Sequence, residues 1–254
     1  MFGIFADRRR ARFRAQPFPA AWAEILDTRV PLVRRLPAED RAELLGLVQL
    51  FLHEKNLEGA GGLVLSDEIR VTIAALACLL LLRRGVTEPY PELKSIVVYP
   101  RGWHATTRHA LGDHVVESRG VHLGESWRRG LVVISWDDAR HGAADEDDGH
   151  NVVLHEFAHQ LDSEDGPADG APTLPDRSMY GPWAAVLGAE YAALIDALHR
   201  DEPTAIDPYG ATNPAEFFAV ITEAFFERPR AMRARYPALY GQLSAFYRQD
   251  PADW

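Results

Sequence analysis

Two histidines four residues apart, His155 and His159, constrain the fold more than any other feature of this 254-residue chain. Residues four apart lie one above the other on a helix, so both rings face one side only if this run is helical. The surrounding residues are largely apolar, which predicts a helix over residues 152–161 with one face in the core. The chain is therefore expected to bury this helix while leaving its histidine side available to a ligand.

Glu156 lies between the two histidines and completes a His-Glu-x-x-His pattern. Each histidine can offer a ring nitrogen to one zinc ion, and Glu156 points to a neighbouring part of the same face. Zinc lowers the pKa of a bound water from about 15.7 towards ~7, and a nearby carboxylate can take the proton. The similar pair His53-Glu54 has Leu57 in place of the second histidine and is interpreted as unrelated to metal binding.

A catalytic zinc ion normally has three protein ligands, and two acidic residues compete for the third position. Asp165 stands six residues after His159, where the longer metzincin pattern has its third ligand. Asp162 occupies the position at which that pattern needs a glycine, which argues against Asp165. Glu216 would instead complete the site from a downstream helix, as in thermolysin-type centres.

Glu216 also fits a structural role. Asn213 is a good N-cap, Pro214 suits the first helical position, and Glu216 then occupies the place of a capping-box glutamate. The spacing alone leaves the ligand and capping roles of Glu216 open.

The whole pattern predicts a helix-dominated α+β fold with a small sheet and without the βαβ alternation of a doubly wound fold. We expect one domain over residues 1–254, with a mainly helical portion in 1–90 and the sheet and metal-binding helices in 91–254. Strands are predicted at 95–99 and 131–135, with a weaker candidate at 114–117. Helices are predicted at 20–28, from Pro37 onward, from an N-cap at Ser66 to a stop at Gly85, and at 152–161, 183–199, 214–226 and 239–248.

The charge of the chain is concentrated in one stretch. Residues 131–170 hold eleven acidic residues against the single Arg140, which accounts for the formal net charge of −10 of the whole protein. This balance disfavours direct binding to nucleic acid or to an anionic membrane. The acidic stretch contains the histidine helix and could attract the amino terminus of a substrate.

The N-terminal region is basic, with Arg8, Arg9, Arg10, Arg12 and Arg14. No apolar segment of an export signal follows it, so we interpret it as a solvated arm, with a partner-binding arm as the alternative. The most apolar run, residues 71–82, is shorter than the roughly 20 residues of a membrane span. It is expected to be a buried helix with Cys78 as a core thiol, and the single cysteine favours a reducing, cytoplasmic location.

Several stretches together resemble a known family. The sequence resembles the Mlc titration factor A family of zinc peptidases, relatives of the anthrax lethal factor catalytic domain. Supporting stretches lie at residues 66–75, 133–136 and 246–251. The two main stretches are His155-Glu156-Phe157-Ala158-His159-Gln160-Leu161-Asp162 and Asn213-Pro214-Ala215-Glu216-Phe217-Phe218-Ala219-Val220.

The resemblance implies a zincin-like metallopeptidase fold of the gluzincin type. It implies that His155, His159 and Glu216 bind Zn²⁺ and that Glu156 is the general base. Tyr209 falls where the family has a tyrosine before the third ligand, and its phenol could stabilise an oxyanion. The implied activity is aminopeptidase-like hydrolysis of short peptides. The alternative that the family name suggests is a regulatory protein that binds and sequesters a transcription repressor.

Four further residues and one loop are named as secondary candidates. Asp162 or Glu223 could receive a ring N–H from a ligand histidine, although capping or solvated roles are equally compatible with their positions. His141 and His150 are expected at the surface. The Pro-, Gly- and Asp-rich loop at residues 163–181 is long enough to be functional or mobile.

Overall fold

The computed structural model describes residues 2–101, 107–111, 114–118 and 130–254, with side chains described for 5–101 and 130–254. The predicted helix-dominated α+β class is confirmed. The N-terminal portion contains four helices, a short strand and a further helix: α1 (Phe2–Arg14), α2 (Ala20–Arg29), α3 (Leu32–Arg35), α4 (Ala38–Glu54), β1 (Asn56–Gly59) and α5 (Asp67–Leu79). Within the described ranges, no helix combines the length and the apolarity that crossing a membrane requires.

Helix α5 forms the centre of the N-terminal portion. The Ser66 hydroxyl oxygen accepts a hydrogen bond from the Ile69 N–H at 3.3 Å, which confirms the predicted N-cap. The helix ends at Leu79, earlier than the predicted stop at Gly85, and the chain continues through turns. The apolar run is buried throughout, and Cys78 is completely buried, as predicted.

The main sheet has three parallel strands in the order β1-β2-β5, with β2 at Ser95–Tyr99 and β5 at Leu131–Ser135. Both of the latter strands were predicted, and Ile96 pairs with Leu57 on one side and Val132 on the other. β1 was not predicted, because four residues with only Leu57 buried carry too weak a pattern. The connection from β1 to β2 passes through α5, so one βαβ unit exists that the sequence pattern did not predict.

A separate antiparallel hairpin joins β3 (Thr107–Leu111) and β4 (His114–Ser118), with Thr107 opposite Ser118. The candidate strand at 114–117 is confirmed as part of β4. Its partner β3 was not predicted.

The C-terminal portion is helical: α6 (Trp136–Ala144), α7 (Val152–Asp162), α8 (Tyr180–His199), α9 (Pro214–Glu227), α10 (Pro229–Arg235) and α11 (Pro237–Tyr247). Four of these helices were predicted within a few residues, whereas α6 and α10 were not. Because α8 begins at Tyr180 and a 3-10 turn precedes it at Arg177–Met179, the loop after α7 is shorter than predicted.

The basic N-terminal region is not a solvated arm. It forms α1, which packs against α4. Arg10 contacts the carboxylates of Glu54 at 2.7 Å and Glu88 at 2.5 Å, and the Phe13 ring stacks on His53 with ring centres 4.1 Å apart. Arg8, Arg9 and Arg12 remain exposed on the outer side of the helix.

Candidate metal centre

Helix α7 has a buried face and a polar face. Phe157 packs in the core against Tyr90 and Phe51, with ring centres 4.8 Å and 5.8 Å apart. Asn151 begins the helix, because its side-chain oxygen accepts a hydrogen bond from the Leu154 N–H at 3.1 Å. The polar face then presents His155, Glu156 and His159 on one side.

Helix α9 brings Glu216 to this face. The Asn213 side-chain oxygen accepts a hydrogen bond from the Glu216 N–H at 3.0 Å, and Pro214 occupies the first helical position. The N-cap is therefore as predicted, while the Glu216 carboxylate turns to the histidines. One oxygen lies 3.0 Å from His155 Nε2 and 3.4 Å from His159 Nε2.

These three side chains meet the geometric requirement for a metal ion. His155, His159 and Glu216 form the one such group found among the residues whose side chains are described, with donor atoms within 4.8 Å of one another. The two Nε2 atoms are 3.3 Å apart. Zinc bonds of about 2.0–2.1 Å in a tetrahedron place neighbouring donor atoms roughly 3.3 Å apart, so the three separations fit one ion.

Glu156 lies beside this group with an unused oxygen. Its Oε2 atom is buried and accepts no hydrogen bond within the described part of the chain. Burial, together with the charges of Glu216 and Glu223 and against that of His155, raises the pKa of Glu156 to about 8. A cation in the group would oppose this shift, because positive charge favours the carboxylate form.

The two histidines differ in their surroundings. Burial lowers the pKa of His155, but the carboxylates of Glu223 and Glu216 outweigh it and raise that pKa well above its ordinary value. For His159, burial dominates and lowers the pKa. Burial also raises the pKa of Glu216, but hydrogen bonds from both histidines reverse this and hold it well below its ordinary range.

Glu223 contacts the second ring nitrogen of His155, which is one of the roles that the sequence left open for it. Its Oε1 atom lies 2.7 Å from His155 Nδ1, and its Oε2 atom accepts the Asn151 N–H at 2.5 Å. Asp162 has a different partner, the Gly170 N–H at 2.8 Å, and burial raises its pKa to about 7.

Gly170 fixes the loop after α7 against the start of α9. Its φ is +81°, and its carbonyl oxygen accepts a hydrogen bond from Trp183 Nε1 at 3.0 Å. A Cβ atom at this position would lie 2.5 Å from the Pro214 carbonyl oxygen. Only glycine therefore allows the loop to approach the first turn of the helix that carries Glu216.

Of the remaining residues named from the sequence, one lies beside the donor group and three are exposed. Tyr209 lies on a 3-10 helix, Pro208–Ala211, with its ring centre 5.9 Å from that of His155. Asp165 is exposed on the loop after α7 and does not belong to the donor group. His141 and His150 are exposed, as expected; His150 Nδ1 lies 3.6 Å from an Asp207 oxygen.

Two residues near the site, Asn151 and Glu227, were not indicated by the sequence. Glu227 follows Glu223 by one helical turn, and both fall on an apolar helix where buried acids are unusual. Two acids one turn apart on an apolar helix were therefore the signal that could have indicated a role for Glu227.

The donor group on α7 and α9 is a possible metal site between two helices. The chain belongs to the family described as glucose-regulated metallo-peptidase M90, whose model matches residues 5–248. The resemblance stated from the sequence is thereby confirmed.

Three relatives illustrate the match. An uncharacterised protein of Synechocystis is 41% identical over 247 residues, which cover 96% of this chain and 90% of the relative. Proteins named Mlc titration factor A from Salmonella gallinarum and Salmonella typhi are each 34% identical over 227 residues, covering 88% of this chain and 84% of theirs.

Proposed function

We propose that this protein is a zinc-dependent metallopeptidase that hydrolyses short peptides in an aminopeptidase-like manner. The observation that carries the proposal is the set of three donor separations between His155, His159 and Glu216, which suits one tetrahedral ion. Family membership supports the metallopeptidase chemistry. The single, buried Cys78 supports a cytoplasmic location, where thiols stay reduced.

Each residue has a defined task in this proposal. A divalent ion held by the three donors would supply positive charge that polarises a carbonyl group and acidifies a water molecule. Glu156 Oε2, which has no other described partner, accepts the proton from the attacking water and later gives it to the leaving amine. Tyr209 lies beside His155, and its phenolic O–H donates a hydrogen bond to the oxygen that develops negative charge.

The ligand assignment is tested by zinc stoichiometry. Wild type and Asp165→Ala should each bind one zinc ion, whereas Glu216→Ala should bind it weakly or lose it. Asp165→Ala is the matched control, because Asp165 is the competing third ligand. Loss of zinc in Asp165→Ala alone would overturn the assignment.

The activity is tested with short peptides that carry a free or an acetylated amino terminus. Glu156→Gln should keep zinc and lose about 10²–10⁴-fold in turnover, since it removes the general base. Aminopeptidase-like activity requires that acetylation abolish cleavage. Full turnover by Glu156→Gln would remove this residue from the mechanism.

A second candidate function is binding and sequestration of a transcription repressor. The name Mlc titration factor A, carried by the Salmonella relatives, favours it. Pull-down of the repressor with catalytically inactive Glu156→Gln separates this role from peptide hydrolysis. Arg8, Arg9 and Arg12, exposed on α1, provide the variants for locating the contact.

A further inference from the structure

We propose that Glu227 is a positioning residue for His155, acting through Asn151 and Glu223. This inference rests on the proposed function, because it concerns the alignment of a ligand in the same metal centre. Glu227 lies one helical turn beyond Glu223 on α9 and touches none of the three donors in the described contacts.

The first step of the connection is the Asn151 side chain. Its Nδ2 atom donates to Glu227 Oε1 at 2.9 Å and to the Gly142 carbonyl oxygen at 3.0 Å. Both amide hydrogens are therefore used, which fixes the side chain with its oxygen towards the Leu154 N–H. Glu227 thus selects the orientation in which Asn151 begins α7.

The second step is the Asn151 backbone. Its N–H donates to Glu223 Oε2, and the other oxygen of the same carboxylate faces His155 Nδ1. A carboxylate held at both oxygens cannot rotate freely. The hydrogen on His155 Nδ1 is then held by this carboxylate, which directs Nε2 towards Glu216 as the atom that would bind a metal ion.

Burial argues that Glu227 is present for orientation rather than for stability. Glu227 and Asn151 are completely buried, and Glu223 is 6% exposed. Within the described part of the chain, Glu227 forms no salt bridge, and its largest interactions are with Asn151, Glu223 and Asp148, none of which is basic. Its Oε2 atom accepts no hydrogen bond within the described part of the chain. A buried acid without a basic partner is costly, and Asn151 could cap α7 without it.

The test uses two substitutions of Glu227 that differ in one property. Glu227→Leu keeps approximate size and removes the acceptor, so zinc affinity should fall about 10-fold, the lower end for loss of a residue that orients a ligand. Glu227→Gln keeps a carbonyl acceptor for Asn151 and should restore affinity to near the wild-type value. Affinity is measured by chelator competition on the folded proteins.

A matched control is Thr222→Val on the same helix. Thr222 is completely buried and its hydroxyl lies 2.9 Å from the hydroxyl of Tyr247 on α11, which is not one of the residues of the donor group. This variant should lose stability and keep wild-type zinc affinity. If Glu227→Leu does not fold, Asn151→Ser replaces it, because serine can still cap α7 but cannot reach Glu227.

A second readout uses the metal-free protein. The hydrogen on His155 Nδ1 should give a downfield-shifted, hydrogen-bonded proton resonance in wild type and Glu227→Gln, and this resonance should weaken or disappear in Glu227→Leu. Wild-type affinity and a wild-type resonance in Glu227→Leu would overturn the inference and leave the proposed function intact. A wild-type protein that takes up no zinc would instead overturn the proposed function, whatever the resonance shows.

Discussion

Two asparagines, Asn151 and Asn213, begin the two helices that meet at the candidate metal centre. Each accepts a hydrogen bond from the N–H three residues later, at 3.1 Å and 3.0 Å. The Asn213 cap could be predicted because it depends on neighbours in sequence. The role of Asn151 could not, because its partners Glu223 and Glu227 lie 72 and 76 residues away.

At the scale of single residues, we expect Glu227 to make stability depend on pH. Burial and the nearby Asp148 and Glu223, against the hydrogen bond from Asn151, raise its pKa from 4.5 to about 9. The folded protein therefore holds a proton that the unfolded chain releases, and this contribution to stability is lost as pH rises from about 4.5 to about 9. One proton corresponds to about 1.4 kcal/mol per pH unit.

Glu227→Gln carries no titrating group at this position. Its free energy of unfolding should rise relative to wild type between pH 5 and pH 8, as measured by urea denaturation at several pH values. A constant difference between the two proteins across this range would contradict the pKa assigned to Glu227.

A second prediction at this scale concerns Gly170. Gly170→Ala places a Cβ atom 2.5 Å from the Pro214 carbonyl oxygen at a φ of +81°. We expect a loss of about 1–3 kcal/mol in the free energy of unfolding. Gly166→Ala is the control in the same loop, since its Cβ would meet no atom within 4 Å. Equal stability of the two variants would show that the close approach of Gly170 to Pro214 does not require glycine.

At the scale of elements, the sequence predicts strongly periodic pieces and misses those that depend on distant partners. Helix α5 was predicted from its cap and its apolar run, and α9 from Asn213 and Pro214. Strand β1 has one buried side chain and exists because it pairs with β2. The same holds for the carboxylates around His155, whose placement depends on α7 packing against α9.

The burial of α5 gives a prediction for Cys78. The thiol is completely buried, and burial raises its pKa, so neither access nor ionisation favours reaction. We expect no labelling by a thiol reagent in the native protein and one labelled thiol per chain in denaturant. Rapid labelling of the native protein would mean that α5 opens readily.

At the scale of the whole molecule, ion pairs connect distant parts of the chain. The acidic stretch at residues 131–170 is tied to the N-terminal portion by Arg35, which lies 2.5 Å from a Glu146 oxygen and 3.6 Å from an Asp147 oxygen. Arg10 ties α1 to Glu54 and Glu88 in the same way. The sequence indicated where charge is concentrated, but these pairings depend on the fold.

The contribution of the Arg10 ion pairs to stability can be measured. Arg10→Ala leaves the carboxylates of Glu54 and Glu88 without this partner, and we expect a loss of about 1–3 kcal/mol in the free energy of unfolding. Arg9→Ala on the exposed side of α1 should change stability by less than about 0.5 kcal/mol. Both variants are compared by urea denaturation. Equal losses of stability would mean that the contacts of Arg10 with the two carboxylates add nothing beyond one positive charge on α1.

The distance along the chain between α7 and α9 has a consequence during synthesis. Glu216 and Glu223 lie 61 and 68 residues after His155. A nascent chain or a truncated product that ends before residue 216 contains both histidines and Glu156 but neither of the carboxylates that contact the histidines. The centre is therefore complete only once most of the protein has been made, and prematurely terminated chains carry an unfinished site.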